Sequence, residues 1–197
     1  NWKYKEVGED IIKINNLEDF FDNPMQGVDG KVHASCDIAL EGGDNLVMVK
    51  WTNNLCHIDD IFVCNLGGKQ TVNVVKAKLD EWGVPETNFT YDLNGLGQWF
   101  KGDGGYFPRA VPFCNTGAVD PKLKYVYKDL KSQAAYILAQ RILAKEISIN
   151  PNLLDRKYSG SGYKNVKLRD ILMHERKVLR QDKDDTDRGF SLPKKKV

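Results

Sequence analysis

The sequence predicts an α/β fold in which a mixed central sheet, made of an antiparallel three-strand meander plus parallel strands, is flanked by helices. Two observations predict this fold. Three strand-like runs follow one another between residues 31 and 65 with only short turns between them, as in an antiparallel meander. A helical period over residues 70–82 is then followed by a strand-like run over residues 88–92, and a helix between strands is typical of a crossover to a parallel strand.

The first strand-like run begins KVHASCDI and contains one acid, Asp37, near its end. Its alternation places Val32, Ala34 and Cys36 on one face and Asp37 on the other. A carboxylate is costly to bury unpaired, so Asp37 should meet a cation, a set of hydrogen-bond donors or water. Alternatively, Asp37 caps the turn that residues 41–44 form.

The next two runs complete the meander. Residues 46–51 are almost continuously apolar, which suits a central strand covered on both faces. Asn53 and Asn54 predict a tight hairpin turn, because asparagine tolerates the left-handed conformation that such turns require. Residues 57–65, HIDDIFVCN, then return as the third strand.

The helix and the fourth strand lead to a second acid. Apolar residues recur at steps of three and four through residues 70–82, and residues 83–85, GVP, predict the end of that helix. The run NFTYDLNGLGQ then indicates a strand that ends at Asp92 and is followed by glycines that permit a sharp turn. If this strand lies beside the first one, Asp37 and Asp92 emerge at the same C-terminal edge of the sheet, where open α/β sheets place their sites.

Two carboxylates at one sheet edge supply the oxygen ligands that hard divalent cations prefer. Two such cations about 3.5–4 Å apart can carry out in-line phosphodiester hydrolysis. The sequence therefore predicts a divalent-metal site, with two metals, that includes Asp37 and Asp92.

Loops and helices make up the rest of the chain. Residues 99–113 predict a mobile loop that ends in a short strand, and Lys101 and Arg109 within it are candidate contacts to DNA phosphates. Asp120 followed by Pro121 predicts the N-cap and first residue of a long helix. Further along, the sequence predicts a short strand, a flexible joint and a short amphipathic segment, at residues 147–150, 159–162 and 166–178 respectively.

Composition is that of an ordinary globular protein. The 197 residues are 41% hydrophobic and 28% charged, and the net charge of +2 neither supports nor excludes binding to DNA. No apolar run reaches the roughly 20 residues of a membrane helix, and the N-terminus lacks a signal-peptide pattern, so we expect a soluble intracellular protein that makes no contact with membranes.

The four cysteines are expected to be free thiols, mostly buried. They are widely spaced and lie within apolar runs, as Cys36, Cys64 and Cys114 illustrate. Cys56 and His57 together with Cys64 suggest half of a zinc site, but no CxxC pair accompanies them, which favours the free-thiol interpretation.

The order of these parts resembles the nuclease domain of tailed-phage terminase large subunits. Three pieces carry the resemblance: SCDIALEGGDNLVMV for the first acidic strand, YDLNGLGQ for the second acidic motif, and YKDLKSQAAYILAQRI for the helix that follows. The resemblance implies an RNase H-like fold and a Mg²⁺- or Mn²⁺-dependent endonuclease that cuts concatemeric viral DNA. Asp37 and Asp92 would be its catalytic metal ligands, with Asp44 as a secondary or water-mediated contact.

The resemblance also implies an organisation and a set of partners. Residues 1–29 would be a linker from a preceding ATPase domain, residues 30–180 the nuclease domain, and residues 181–197 a polar tail. No GxxxxGK[ST] motif is present, so the ATPase motor is not part of this chain. Double-stranded DNA, a small terminase subunit and a portal would be the partners, and the host cytoplasm the location if a phage encodes the protein.

The family's third acidic ligand has no clear match in this sequence. It is expected either beyond Val197 or among the acids of the tail, Asp184, Asp185 and Asp187, with Asp185 as the representative candidate. Two alternatives stay open at this stage. One is another RNase H-like metal nuclease, such as a junction resolvase or an integrase core, and the other is a catalytically idle docking domain in which Asp37 and Asp92 merely cap turns.

Overall fold

A mixed six-stranded sheet forms the centre of the protein. The computed structural model describes residues 10–24, 30–38, 45–66, 69–123, 126–160 and 162–179, and the side chains of residues 95 and 96 are not described. The strands of the sheet are β1 His33–Asp37, β2 Leu46–Thr52, β3 His57–Cys64, β4 Phe89–Asp92, β5 Val111–Phe113 and β6 Ser148–Ile149. Their spatial order is β5-β4-β1-β2-β3-β6.

Strand directions follow the prediction. β1, β2 and β3 are antiparallel neighbours, whereas β4 is parallel to β1, β5 to β4, and β6 to β3. Five α-helices surround the sheet within the described ranges, α1 Ile14–Phe21, α2 Lys69–Trp82, α3 Leu130–Leu143, α4 Pro151–Leu154 and α5 Leu168–Glu175. The predicted mixed α/β architecture of meander plus parallel strands is confirmed.

The first hydrophobic core lies between the sheet and α2. Alternate residues of the strands point into it, and Ala34, Met48 and Phe89 are among its fully buried members. The apolar stripe of α2 covers them because its period of about 3.6 residues brings every third or fourth side chain to one face. Phe100 and Phe107 join this core, with ring centroids 4.6 Å apart, so the segment predicted as a mobile loop is anchored at both ends.

The second core lies on the opposite face of the sheet. α1 contributes Leu17, Phe20 and Phe21, each 4% exposed, and they pack in one cluster with Ala139 and Ile142 of α3. The segment expected as a linker is therefore part of the packed unit over residues 10–24, and the predicted domain boundary at residue 30 falls inside that unit. Residues 181–197, the expected tail, lie outside the described residues.

The long helix begins later than the sequence predicted. Asp120 accepts a hydrogen bond from the backbone N–H of Lys122 at 2.8 Å and so closes a local turn. The N-cap of α3 is Asp129, which accepts from the backbone N–H of Ser132 at 2.8 Å. An Asp-Pro pair starts turns as well as helices, and here Asp129 provides the cap.

The predicted flexible joint falls where two further strands are connected, and its first two residues belong to the first of these strands. β7 Lys157–Gly160 and β8 Tyr163–Lys167 form a separate two-stranded antiparallel sheet, the β7–β8 hairpin. Gly160 and Gly162 have φ angles of +129° and +88°, which side-chain-bearing residues rarely adopt. The two glycines therefore serve a tight reversal of the chain. None of the helices in the described ranges is long and apolar enough to cross a bilayer.

Candidate metal centre

Asp37 and Asp92 close two neighbouring parallel strands at the same level of the sheet. β1 and β4 pair in a register that matches Ala34 with Phe89 and Cys36 with Tyr91. The next step of this register brings together Asp37 and Asp92, each the last residue of its strand. Neighbouring strands lie about 4.8 Å apart, so the sequence prediction that these two acids share one sheet edge is confirmed.

Both carboxylates belong to the same face of the sheet. Cys36 and Tyr91 are buried in the core beneath α2, and side chains alternate along a strand, so Asp37 and Asp92 face the other side. Asp37 pairs across β2 with Val47, whose side chain belongs to the second core. The acid pair therefore lies at the rim of the second core, with Asp37 exposed and Asp92 half-buried.

The Asp92 carboxylate accepts three hydrogen bonds from the residues that the structure describes. Asn94 donates to Oδ1 from its backbone N–H at 3.0 Å and from its side-chain Nδ2 at 2.9 Å. Asn115 donates from Nδ2 to the other oxygen, Oδ2, at 3.2 Å. All three donors are neutral amides, so they orient the carboxylate without neutralising its charge.

Sequence reasoning missed both asparagines. A signal for Asn94 was present, because Asp-x-Asn favours a local turn in which the aspartate accepts from the residue two positions on. Asn94 also occupies the N-cap position of the 3₁₀ turn Gly95–Phe100, but its side chain makes no capping hydrogen bond there. Asn115 carried no comparable signal, because it is 23 residues from Asp92 and the pairing of β4 with β5 brings it close.

A third acidic ligand is not found among the residues that the structure describes. Within those residues no group of three His, Cys, Asp or Glu side chains is arranged to hold a metal ion. This also argues against the zinc half-site, and the ring of His57 instead makes a 2.8 Å hydrogen bond with the Ser148 hydroxyl. Asp44, predicted as a secondary ligand, and Asp184, Asp185 and Asp187 lie outside the described ranges.

Arg109, one of the two basic residues predicted to contact DNA, is not brought to the acid pair. Arg109 is 74% exposed and pairs with Glu86, with 3.9 Å between Nε and Oε2. Glu86 precedes β4, whose four residues span about 10 Å, so this ion pair lies at the opposite edge of the sheet from Asp92. Lys101 follows Phe100, whose ring is buried on the other sheet face.

Among the described residues, the carboxylates of Asp37 and Asp92 suit a divalent cation. Two carboxylates on one face of two adjacent strands offer hard oxygen ligands from a rigid backbone. Hydrogen bonds from Asn94 and Asn115 orient the Asp92 carboxylate, and metal-ligating carboxylates are usually hydrogen-bonded in this way. Together the pair supplies two ligands, which leaves the remaining coordination positions to other oxygens.

Comparisons with known proteins place the fold. No protein-family model matches the sequence, and no curated protein sequence matches it. Among solved structures, the nuclease domain of the large terminase subunit gp2 of bacterial virus Sf6 is similar, with a TM-score of 0.71 and 14% identity over 95% of this chain and 89% of that chain. A mutant of that domain with manganese and beta-thujaplicinol has a TM-score of 0.71 at 12% identity, covering 94% of this chain and 88% of that one.

A third structure agrees with these two. A mutant of the Sf6 domain with calcium has a TM-score of 0.69 at 14% identity, covering 94% of this chain and 88% of that chain. This protein therefore has the fold of the nuclease domains of phage large terminase subunits, and the predicted resemblance is confirmed at the level of the fold. All three structures are of gp2 of Sf6, and the likeness extends over nearly the whole of both chains.

Proposed function

We propose that this chain is the nuclease domain of a DNA-packaging terminase large subunit and hydrolyses phosphodiester bonds of concatemeric double-stranded DNA with divalent cations. The observation that carries the proposal is the in-register pair of Asp37 and Asp92 at one edge of a sheet whose fold is that of terminase nuclease domains. The Sf6 domain, which has been solved with manganese and with calcium, supports a divalent-metal requirement.

Asp37 and Asp92 would hold the cations, Mg²⁺ or Mn²⁺, in a two-metal arrangement. Bound there, such cations activate a water nucleophile and stabilise the leaving oxygen of the phosphodiester. The chain contributes two carboxylates whose negative charge and spacing attract the cations, and the hydrogen bonds to Asp92 keep one of them oriented. Further ligands would be an acid outside the described residues, Asp44 or Asp185 among them, and the phosphate of the substrate itself.

DNA binding would rest mainly on phosphate contacts, with little reading of base sequence. Lys131 is exposed in the first turn of α3, and its backbone N–H bonds to the carbonyl of Asn115 at 3.2 Å, so the structure brings this lysine close to the loop that touches Asp92. Lys131 is accordingly a better candidate for a phosphate contact at the site than Arg109. Binding should weaken steeply as salt rises. In the virus, the small terminase subunit and the portal would be the protein partners.

The deciding experiment measures plasmid cleavage by the Asp37→Asn and Asp92→Asn variants in Mg²⁺ and in Mn²⁺. Each should lose more activity than the roughly 10- to 100-fold that loss of an outer-shell partner of a metal costs. Asp120→Asn is the matched control, because Asp120 is an exposed acid whose side chain accepts from the backbone N–H of Lys122 in a local turn, and it should cut like wild type. Wild-type cutting by either site variant, with folding shown by circular dichroism, contradicts the assignment.

One observation supports the idle-domain alternative. The hydrogen bond from the backbone of Asn94 to Asp92 has the pattern of a turn-capping aspartate, and such a contact needs no metal. Calorimetric titration with Mn²⁺ separates the two, because an idle domain has no binding to lose when Asp37 or Asp92 is replaced. Preference for branched over linear DNA would instead indicate a junction resolvase.

A further inference from the structure

We propose that Asn115 is a positioning residue that directs Asp92 Oδ2 toward the cation, an inference that rests on the proposed nuclease function. Its side-chain amide is the donor to Oδ2, at 3.2 Å. The residue lies just after β5, at the same sheet edge as the acid pair, because Phe113 of β5 pairs with Asp92.

The hydrogen bonds on Asp92 define which oxygen remains available. A carboxylate has about four lone-pair sites, two on each oxygen. Oδ1 accepts twice from Asn94, through the backbone N–H and through Nδ2, so both of its sites are used. Among the described residues only Asn115 donates to Oδ2, which leaves that oxygen one site for other ligands. A cation held by Asp92 is therefore directed to Oδ2, the atom that Asn115 contacts.

The position of Asn115 is set from a different part of the chain than that of Asn94. Its carbonyl accepts from the backbone N–H of Lys131 at 3.2 Å, and the carbonyl of Gly117 accepts from Leu130 at 3.3 Å, so the loop is tied to the start of α3. The turn before α3 is tight enough to favour glycine at position 117, because a Cβ on Gly117 would lie 2.9 Å from the carbonyl oxygen of Cys114. Asn115 thus connects the metal-facing oxygen to α3, whereas Asn94 bonds to Oδ1 from within a local turn.

Replacing Asn115 by alanine and by aspartate should have different effects on metal binding. Asn115→Ala removes the donor to Oδ2 and should weaken Mn²⁺ binding by about 10- to 100-fold, as loss of an outer-shell partner does. Asn115→Asp has the same shape but sets a second carboxylate against Asp92. The two charges repel without metal and can share a cation when metal is present, so this variant should melt lower than wild type in EDTA and gain more from Mn²⁺ than wild type gains.

The test titrates Mn²⁺ calorimetrically into the full chain and records melting temperatures with Mn²⁺ and with EDTA. Asn88→Ala is the control, because the Asn88 amide also joins β4 to β1, donating to the carbonyl of Val32 at 2.9 Å, but at the opposite end of β4. It should leave Mn²⁺ affinity unchanged. Equal Mn²⁺ affinity of wild type and Asn115→Ala, or the same response to Mn²⁺ in Asn115→Asp as in Asn115→Ala, overturns the proposal.

The outcomes separate this inference from the proposed function. If wild type binds Mn²⁺, Asp92→Asn loses that binding and Asn115→Ala keeps it, only the role of Asn115 is overturned. If Asp92→Asn binds Mn²⁺ like wild type, the metal centre itself is misassigned and the role of Asn115 is overturned with it. If Asn115→Ala does not fold, the isosteric Asn115→Asp decides through its larger or smaller gain from Mn²⁺.

Discussion

Gly160 of the β7–β8 hairpin lies against the side-chain amide of Asn45, so closely that a Cβ on residue 160 would overlap it. Asn45 Nδ2 also donates to the carbonyl of Ser159 at 3.4 Å. Asn45 directly precedes β2, which runs antiparallel to β1, so it lies at the same sheet edge as the end of β1. The hairpin therefore rests at the edge of the sheet that carries Asp37 and Asp92.

Gly160→Ala should lower the free energy of unfolding by about 1–3 kcal/mol, because alanine is strained at a φ of +129°. The overlap of its Cβ with the Asn45 side chain should lower the free energy of unfolding further. Gly162→Ala is the matched control, because it has a φ of +88° but open space around its Cβ. Urea unfolding measures both. A second variant, Asn45→Ala, should restore part of the stability of Gly160→Ala, and purely additive effects would rule out the contact.

Leu17→Ala should destabilise the protein by about 2–5 kcal/mol, because Leu17 is 4% exposed and its removal leaves a cavity in the second core. Ile14→Ala on the same helix should change stability by no more than about 0.5 kcal/mol, since Ile14 is 46% exposed. Thermal and urea unfolding of the two variants test whether α1 belongs to the packed domain. Equal changes in stability for the two variants would indicate that residues 10–24 are a linker, as the sequence predicted.

Asp129→Ala should cost about 1 kcal/mol of stability, with a range of roughly 0.5–2, through loss of the N-cap of α3. The variant also removes the acceptor at 2.7 Å from the hydroxyl of buried Ser132, which adds to the loss. Asp120→Ala breaks only an exposed turn contact and should cost less. A larger loss of stability in Asp120→Ala than in Asp129→Ala would instead support the helix start at Asp120 that the sequence predicted.

His57 should make stability depend on pH below neutrality. Burial lowers its pKa from the ordinary 6.5, against an opposing effect of Asp59. Between the lowered value and 6.5 the unfolded chain binds more protons than the folded one, so the free energy of unfolding decreases as pH falls through that window. His57→Asn should flatten this slope in urea titrations between about pH 7.5 and 5, while His33, whose pKa burial also lowers, retains part of it. An unchanged slope would contradict the prediction.

The sequence by itself determined the strands of the meander, the helix that follows them and the two acids at the ends of β1 and β4. These features are local, because side chains alternate along a strand and recur every three to four residues along a helix. The fold resemblance followed from their order. The start of α3 was misplaced for the same reason, since Asp-Pro at 120–121 and Asp129 offer equally local capping signals.

Only the tertiary structure decided which strands became neighbours and what they brought together. Parallel pairing of β1 and β4 places Asp37 beside Asp92 across 55 positions of sequence, and pairing of β4 with β5 brings Asn115 to Oδ2. The same packing buries α1 in the second core and holds Arg109 at the far edge. Such contacts form because the two faces of one sheet are buried at the same time, which is a property of the whole packed chain. No local sequence pattern therefore predicts them.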